Sequence, residues 1–520
     1  MRLSTEQHAV IDSPAPHKRI IAVAGSGKST VLVQQAGRWL RSGSDPMSTV
    51  AVSFTRRSGE VIRKRILAEY GQEIGYSGTS HGLAYLTLAL ACDGKYRLTP
   101  LTDSEVDAVV DHVAEVTKMT MKASAKVRKR ARGEFPTMID SGERALATAV
   151  VRYMEANRLV HVGQLVPRFA SLLCGNSDLR DWFRLRMRTV LWDECQDMND
   201  AEAMMLAHAN PDRSFVVGDP NQGIYGFRGA NPVHLWSREA ETFPLSFNFR
   251  SGSRILSVAN QVRAGEGVPL VAFRTDAGYV ENVHTTDMGY EEKIWEAARA
   301  IEWAMDHGQI PMHVLCRTNH EVVLIDRALN GLEIRSQIAS PAFDRFATPR
   351  WQRLFLAARY AMDPACEWLA TAARKGGVPV PAEGLDWEAM LVGDLLSSYS
   401  LHDLEDMAHE PALNMTVPEF VSWYQRRDLQ DQMPEDGQVD AIVMTAHASK
   451  GLEFKHVCLL DVGHHLGGER AKKPKQTQAE NDRENREERN VLYVAVTRAE
   501  DSLVLCGASK FLAQLTKEIQ

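Results

Sequence analysis

Apolar residues in this chain gather in short β-branched runs, each closed by turn residues and often followed by helix-compatible spacing. "RIIAVAG" (Arg19–Gly25), "TVAVSFT" (Thr49–Thr55), "TVLWDE" (Thr189–Glu194) and "SFVVGD" (Ser214–Asp219) are nearly continuous apolar segments. Such runs suit strands buried on both faces of a parallel sheet. The same texture returns after Arg250 in "HVLCRTN" (His313–Asn319), "AIVMTAH" (Ala441–His447), "VCLLDV" (Val457–Val462) and "SLVLCG" (Ser502–Gly507). Two α/β cores are the simplest account. Mostly helical patterning around Ala84–Arg180 and Asp363–Gln438 predicts an insertion in each core. The segment "GGERAKKPKQTQAENDRENREERN" (Gly467–Asn490) reads as a solvated loop or an exposed helix of mixed charge.

Length agrees with this plan, since 520 residues exceed what one hydrophobic core supports. At 44% hydrophobic and 24% charged the composition is that of a soluble globular protein. No apolar run approaches the ~20 residues that span a bilayer. The opening "MRLSTEQHAVIDSP" lacks a secretory apolar core, so a cytoplasmic location without membrane partners is expected. Seven dispersed cysteines without a C-x-x-C pair fit reduced thiols, neither a disulfide framework nor a zinc site. The net charge of −7 excludes a uniformly basic coat but leaves room for a local basic groove.

Two stretches carry chemistry. "AVAGSGKST" (Ala22–Thr30) follows a predicted strand and precedes a predicted helix, the context of a phosphate-binding loop. Backbone N–H groups of Ala24, Gly25, Ser26 and Gly27 would face phosphates, and Lys28 would reach the β- and γ-phosphates. Ser29 would bind Mg²⁺. Ala22 stands where the usual pattern begins with glycine. "LWDECQD" sets Asp193 and Glu194 at the end of a buried strand. Adjacent carboxylates there suit two tasks: Asp193 holding Mg²⁺, and Glu194 orienting and deprotonating an attacking water.

With these residues in hand, the chain resembles the superfamily 1 DNA helicases of the UvrD, Rep and PcrA type. "LSTEQ" (Leu3–Gln7) is similar to the family's opening motif, which implies that Gln7 reads the adenine edge. "VSFTRRSGEVIRKRI" and "GTSHGLA" resemble its single-strand DNA motifs, carrying Phe54, Thr55, Thr79 and His81. "VGDPNQGIYGFRGA" (Val217–Ala230) resembles the third motif, with Gln222 near the γ-phosphate and Tyr225, Phe227 and Arg228 toward DNA. "LSFNFRS" implies Phe249 on the adenine face and Arg250 on phosphates, and "CRTN" implies Arg317 and Asn319 for DNA. "TAHASKGLEF" implies Thr445 and His447 for DNA and Glu453 for the ribose. "EERNVLYVAVTRAE" implies Arg498 as a second arginine on the γ-phosphate.

The resemblance implies two RecA-like P-loop NTPase cores, each interrupted by a mostly helical insertion. The first core would hold 1–83 and 181–247 around an insertion at 84–180. The second would hold 248–362 and 439–520 around a shortened insertion at 363–438. It further implies an ATP- and Mg²⁺-dependent motor moving 3′ to 5′ on single-stranded DNA and acting at single/double-strand junctions. Repair or replication proteins would be its partners. A protein-stripping translocase with weak unwinding and a nucleotide-gated binding switch are the alternatives.

Some positions read two ways or depart from the family. Phe54 fits a core position as well as a stacking platform, and His81 alone fits an ordinary loop histidine. The basic run "MKASAKVRKRARG" (Met121–Gly133) could track a phosphate backbone or form a solvated helix face. Thr30 stands where relatives usually have an arginine, Phe227 where tryptophan is commoner, and Ser80 where an aromatic is usual.

Overall fold

The computed structural model describes residues 3–118, 125–134, 141–263, 267–284, 289–340, 343–344, 346, 348–375, 386–398, 411–426, 438–461 and 477–507. The chain divides into two compact units. One comprises Met1–Leu83, Leu172–Phe343 and Met433–Gln520, and the other Ala84–Ser171 and Asp344–Gln432.

The first unit is built on two six-stranded sheets in which every neighbouring pair of strands runs parallel. The first sheet contains β1 (His17–Ala22), β2 (Thr49–Val52), β3 (Tyr76–Gly78), β4 (Thr189–Trp192), β5 (Arg213–Gly218) and β6 (Glu241–Leu245), in the order β3-β2-β4-β5-β1-β6. The second contains β7 (Tyr279–His284), β8 (Met312–Cys316), β9 (Ser336–Ile338), β10 (Ala441–Thr445), β11 (Phe454–Asp461) and β12 (Ala499–Gly507), in the order β7-β12-β11-β8-β10-β9. All eight runs singled out in the sequence are strands.

Parallel pairing needs crossover helices, which cover the sheet faces and explain why these strands carry no polar alternation. Ile20, Leu191, Phe215 and Val217 pack with Val31, Leu32 and Ile62 of the flanking helices in one core. Val314, Val443, Cys458 and Val504 pack with Ala298, Ile301 and Ile325 in the other. The polar stretch expected as loop or exposed helix is helical over Gln478–Val496, opened by a capping box at Thr477. Its residues 467–476 lie outside the described residues. Among the described residues no helix is long and apolar enough to cross a membrane.

The second unit is mostly helical and has one hydrophobic core drawn from both of its segments. Val106, Val109 and Val113 of the helix Asp103–Val116 share it with Leu354 and Phe355 of Pro349–Met362 and Phe420 of Val417–Arg426. Arg359 Nε donates to the buried Glu105 carboxylate at 3.0 Å, and His112 Nδ1 meets Thr371 Oγ1 at 2.9 Å. The basic run falls here. Arg128 and Arg132 are engaged internally, by Asp111 at 2.6 Å and Asp107 at 2.7 Å. Lys126 and Lys129 remain exposed, and Met121–Ser124 lie outside the described residues.

Candidate functional site

The phosphate-loop geometry follows directly from its glycines. β1 ends at Ala22, and the chain turns through Gly25 and Gly27, both at positive φ (65° and 77°). A Cβ at Gly25 would lie 2.7 Å from Asn248 Nδ2, and one at Gly27 would lie 2.9 Å from Gln7 Nε2. Both positions therefore need glycine for conformation and for space. Gly27 caps the helix Lys28–Arg41 without a side chain, so the first-turn N–H groups and the positive end of the helix dipole face the loop. Gln7 donates to Ser26 O at 3.1 Å, fixing the opening motif against the loop.

Asp193 and Glu194 sit at the end of β4, with Asp193 N bonded to Val52 O at 2.8 Å. Glu194 is left-handed (φ 51°), which turns its carboxylate toward Lys28 Nζ, 4.0 Å away. The two carboxylates titrate in opposite directions. Burial, and then the Glu194 charge, push Asp193 upward. Burial acts on Glu194 in the same sense, but Lys28 and Lys450 outweigh it and hold Glu194 below the usual carboxylate range.

Gln196 extends this pair. Its amide donates to Glu194 Oε2 at 2.6 Å, and its carbonyl accepts Asp219 N–H at 3.0 Å. Asp219 in turn accepts from Gln222 Nε2 at 2.9 Å and from Tyr493 Oη at 3.1 Å. A continuous hydrogen-bonded path thus joins Glu194 to Gln222 inside the first sheet and to Tyr493 beside the second.

Gly25, Gly27, Lys28, Asp193, Glu194 and Gln222 line a cavity of about 510 Å³ together with Gln7, Ala24, Ser26, Ser29, Thr30, Phe249, Arg250, Glu453 and Arg498. Every predicted nucleotide residue is therefore in one place. Arg250 donates to Thr497 O at 2.8 Å and pairs with Glu453, while its Nε is buried without a hydrogen-bond partner. Arg498 is fully engaged, bonding Val494 O and Leu452 O at 2.9 Å each, and burial and then Arg250 push its pKa down to about 9. Phe249 stacks at a tilt on Phe273, centroids 4.5 Å apart, a partner that sequence reasoning missed. Arg65, from the helix Arg56–Tyr70, reaches Thr30 Oγ1 at 3.4 Å and brings a guanidinium beside the position that lacks its usual arginine.

A second cluster adjoins the cavity. Phe54 and Tyr225 stack at 4.7 Å and 13°, Phe227 meets Tyr225 edge-on at 6.1 Å, and His447 meets Phe227 at 6.0 Å. Arg228 lies over both Tyr225 and Phe227, at 5.3 and 5.7 Å. Phe227 is 67% exposed, an open ring between Tyr225 and His447. Burial, and then Arg317, push His447 down to about 4, leaving it neutral.

The other predicted DNA residues carry local duties. Thr55, Thr79 and Thr445 accept from the N–H groups of Ser58, Gly82 and Ala448, at 3.1, 3.1 and 3.2 Å. His81 Nδ1 lies 3.4 Å from Ser80 Oγ, and Asn319 accepts from Ser340 Oγ at 3.2 Å. Arg317 is held by Glu488 through two bonds, one of them 2.9 Å from Nε. None of these six belongs to the ring cluster.

Sequence reasoning also passed over Lys450. Its ammonium pairs with the buried Asp197, donates to Gln222 O at 2.6 Å and lies 4.8 Å from the centre of the Tyr225 ring. It touches the nucleotide side and the ring side at once. The only sequence signal was its place inside a motif read for other residues.

The chain is similar in sequence to known proteins. Residues 3–243 match the model of the UvrD/REP helicase N-terminal domain, and residues 398–510 match that of the UvrD-like helicase C-terminal domain. The ATP-dependent DNA helicase Rep of Salmonella typhimurium is 24% identical over 650 residues, covering 99% of this chain and 92% of its own. DNA helicase II of Escherichia coli is 29% identical over 287 residues, covering 50% of this chain. The match spans only 40% of that protein's length. The ATP-dependent DNA helicase UvrD1 of Mycobacterium tuberculosis is 24% identical over 380 residues, 64% of this chain and 48% of that protein.

Proposed function

Because the chain belongs to the superfamily 1 family of UvrD/Rep-like helicases, we propose that it is an ATP-dependent DNA helicase that moves 3′ to 5′ on single strands and opens duplex at junctions. The observation that carries this reading is the adjacency of two clusters. Lys28, Asp193, Glu194, Gln222, Arg250 and Arg498 converge on one cavity, and Phe54 stands both on its wall and at the head of the ring row. In this reading the two sheets are RecA-like cores, divided at 1–83 with 181–247 and at 248–362 with 439–520. Their insertions are 84–180 and 363–438.

Hydrolysis follows from the charges in the cavity. ATP enters with Gln7 and Phe249 at the base and Lys28 on the β- and γ-phosphates. Ser29 and Asp193 offer the hard oxygen donors that Mg²⁺ prefers and would hold it there. When bound, Mg²⁺ would supply charge neutralisation for the phosphates. Lys28 and Lys450 hold Glu194 ionised, the form that accepts a proton. Glu194 then orients the water and accepts its proton.

Arg250 and Arg498 flank the second sheet, and Lys28 and Glu194 the first. Substrate therefore bridges both sheets, and an arginine supplied across such an interface contributes ~10³–10⁵ in rate in related phosphoryl transfers. Closure on ATP and release after hydrolysis move Tyr225 and Phe227, which lie a few residues beyond Gln222, against stacked bases. Such stacking is worth ~1–3 kcal/mol per base and tolerates any sequence.

Unwinding assays on duplexes with a 3′ or a 5′ single-stranded tail test the reading. ATP-dependent opening from the 3′ tail is expected, and efficient opening from only the 5′ tail overturns the polarity. A soluble cytoplasmic protein working with repair or replication proteins fits the same reading.

A further inference from the structure

The loop that carries Gln222 and Tyr225 is gripped along its length by one helix from the other sheet. On the helix Gln478–Val496, residues 483, 487 and 490 share a face because they are four and three positions apart. Arg483 donates to Ala230 O at 3.3 Å, and Glu487 Oε1 accepts Gly226 N–H at 3.1 Å. Asn490 Nδ2 donates to Gly223 O at 2.9 Å and to Pro220 O at 3.3 Å. Helix and loop run in opposite directions, so the contacts form an ordered series.

Their placement is specific. The two Asn490 bonds bracket Gln222, one before it and one after it. The Glu487 bond falls on the residue after Tyr225. Both hydrogens of the buried Asn490 amide are thereby used. A Cβ on Gly226 would lie 2.8 Å from Glu487 Oε2 and would displace that carboxylate from its place in the clasp. The same helix ends at Val496 and is capped by Thr497, so Arg498 in the cavity follows directly on a rod that runs about 9 Å from Asn490 to Val496, at ~1.5 Å rise per residue. A cavity of about 610 Å³ borders the clasp, lined by Gly223, Gly226, Pro232, Trp236, Arg486 and Asn490, and leaves the loop room to shift.

We infer that the Gln478–Val496 helix carries movement of Arg498 to the DNA-facing rings, with Asn490 and Glu487 as positioning residues that keep Gln222 and Tyr225 in step with it. Resting on the proposed motor function, this assigns the link between nucleotide state and DNA grip to two side chains that touch neither ligand.

The test compares wild type with Asn490→Asp, Glu487→Ala and Glu487→Gln. Asn490→Asp keeps the shape but sets a carboxylate against two carbonyls. Glu487→Gln keeps an oxygen for Gly226 N–H, whereas Glu487→Ala removes it. Affinity for fluorescent oligo(dT) is measured with and without a non-hydrolysable ATP analogue, alongside kcat and KM for ATP with and without oligo(dT), and thermal melting. In Asn490→Asp and Glu487→Ala the analogue-induced change in oligo(dT) affinity and the DNA stimulation of kcat should each shrink roughly tenfold, the scale of one coupling interaction. KM for ATP should stay near wild type, and Glu487→Gln should restore coupling. Wild-type coupling in Asn490→Asp or Glu487→Ala overturns the inference. So does an equal loss of basal and stimulated turnover that Glu487→Gln fails to rescue. A wild-type enzyme without DNA stimulation would instead overturn the motor function itself, before any variant is compared.

Discussion

Lys450 and Asp197 form an ion pair that joins the two sheets of the first unit, with side chains only 5% and 1% exposed. The Lys450 ammonium also donates to Gln222 O at 2.6 Å, so one cation ties the carboxylate turn to the loop that leads to the rings. Burial pushes Asp197 up to about 7 even with Lys450 beside it. The pair is therefore costly to break from one side only. Lys450→Met should destabilise the protein by about 3–5 kcal/mol, because it strands a buried carboxylate. Adding Asp197→Asn should recover most of that loss. Urea unfolding of the single and double variants measures it, and additive losses would contradict the pairing.

Glu194→Gln should lower kcat by ~10²–10⁴ while leaving ATP binding in place, since it removes the proposed proton acceptor and keeps the shape. Lys28→Ala should abolish turnover. Calorimetric nucleotide binding beside steady-state ATPase separates the two effects. Normal turnover in Glu194→Gln would remove it from the reaction.

Tyr225 stacks on Phe54 and lies beneath both Lys450 and Arg228. Tyr225→Ala should weaken oligo(dT) binding by ~1–3 kcal/mol and lower DNA stimulation of the ATPase. Phe227→Trp, which enlarges the exposed ring, should tighten binding. Fluorescence anisotropy titrations decide both, and unchanged affinity in Tyr225→Ala would rule out a stacking role.

His447 should make stability pH-dependent. Its pKa is about 4 in the folded protein against an ordinary 6.5. Between these values the unfolded chain binds a proton that the folded chain does not, so stability falls as the pH drops through that window. His447→Gln should flatten that part of the profile. Urea unfolding at pH values across the window tests it, and identical slopes for variant and wild type would contradict it.

What the sequence made legible follows physical lines. The eight strands found from apolar runs occupy the interiors of the two sheets. The four that were missed, Tyr76–Gly78, Glu241–Leu245, Tyr279–His284 and Ser336–Ile338, are the four sheet edges. An edge strand is covered less, so it keeps polar residues such as Ser336 and Gln337, or a proline such as Pro244, and loses the signal used to find it. Most of the residues that line the cavity of about 510 Å³ were legible because they lie in contiguous motifs. Lys450 and Asn490 were not, because their partners are distant: Lys450 lies 253 positions from Asp197, and Asn490 lies 267 from Gly223. Arg317 illustrates the converse. Its motif implied DNA, while its guanidinium is held by Glu488, 171 positions away.

The most direct test of the motor is steady-state ATPase measured without DNA and with oligo(dT) of increasing length. A motor that steps along the strand should be stimulated by DNA, with turnover rising with oligonucleotide length to a plateau. Turnover that ignores DNA, or that responds equally to the shortest and longest strands, would contradict it.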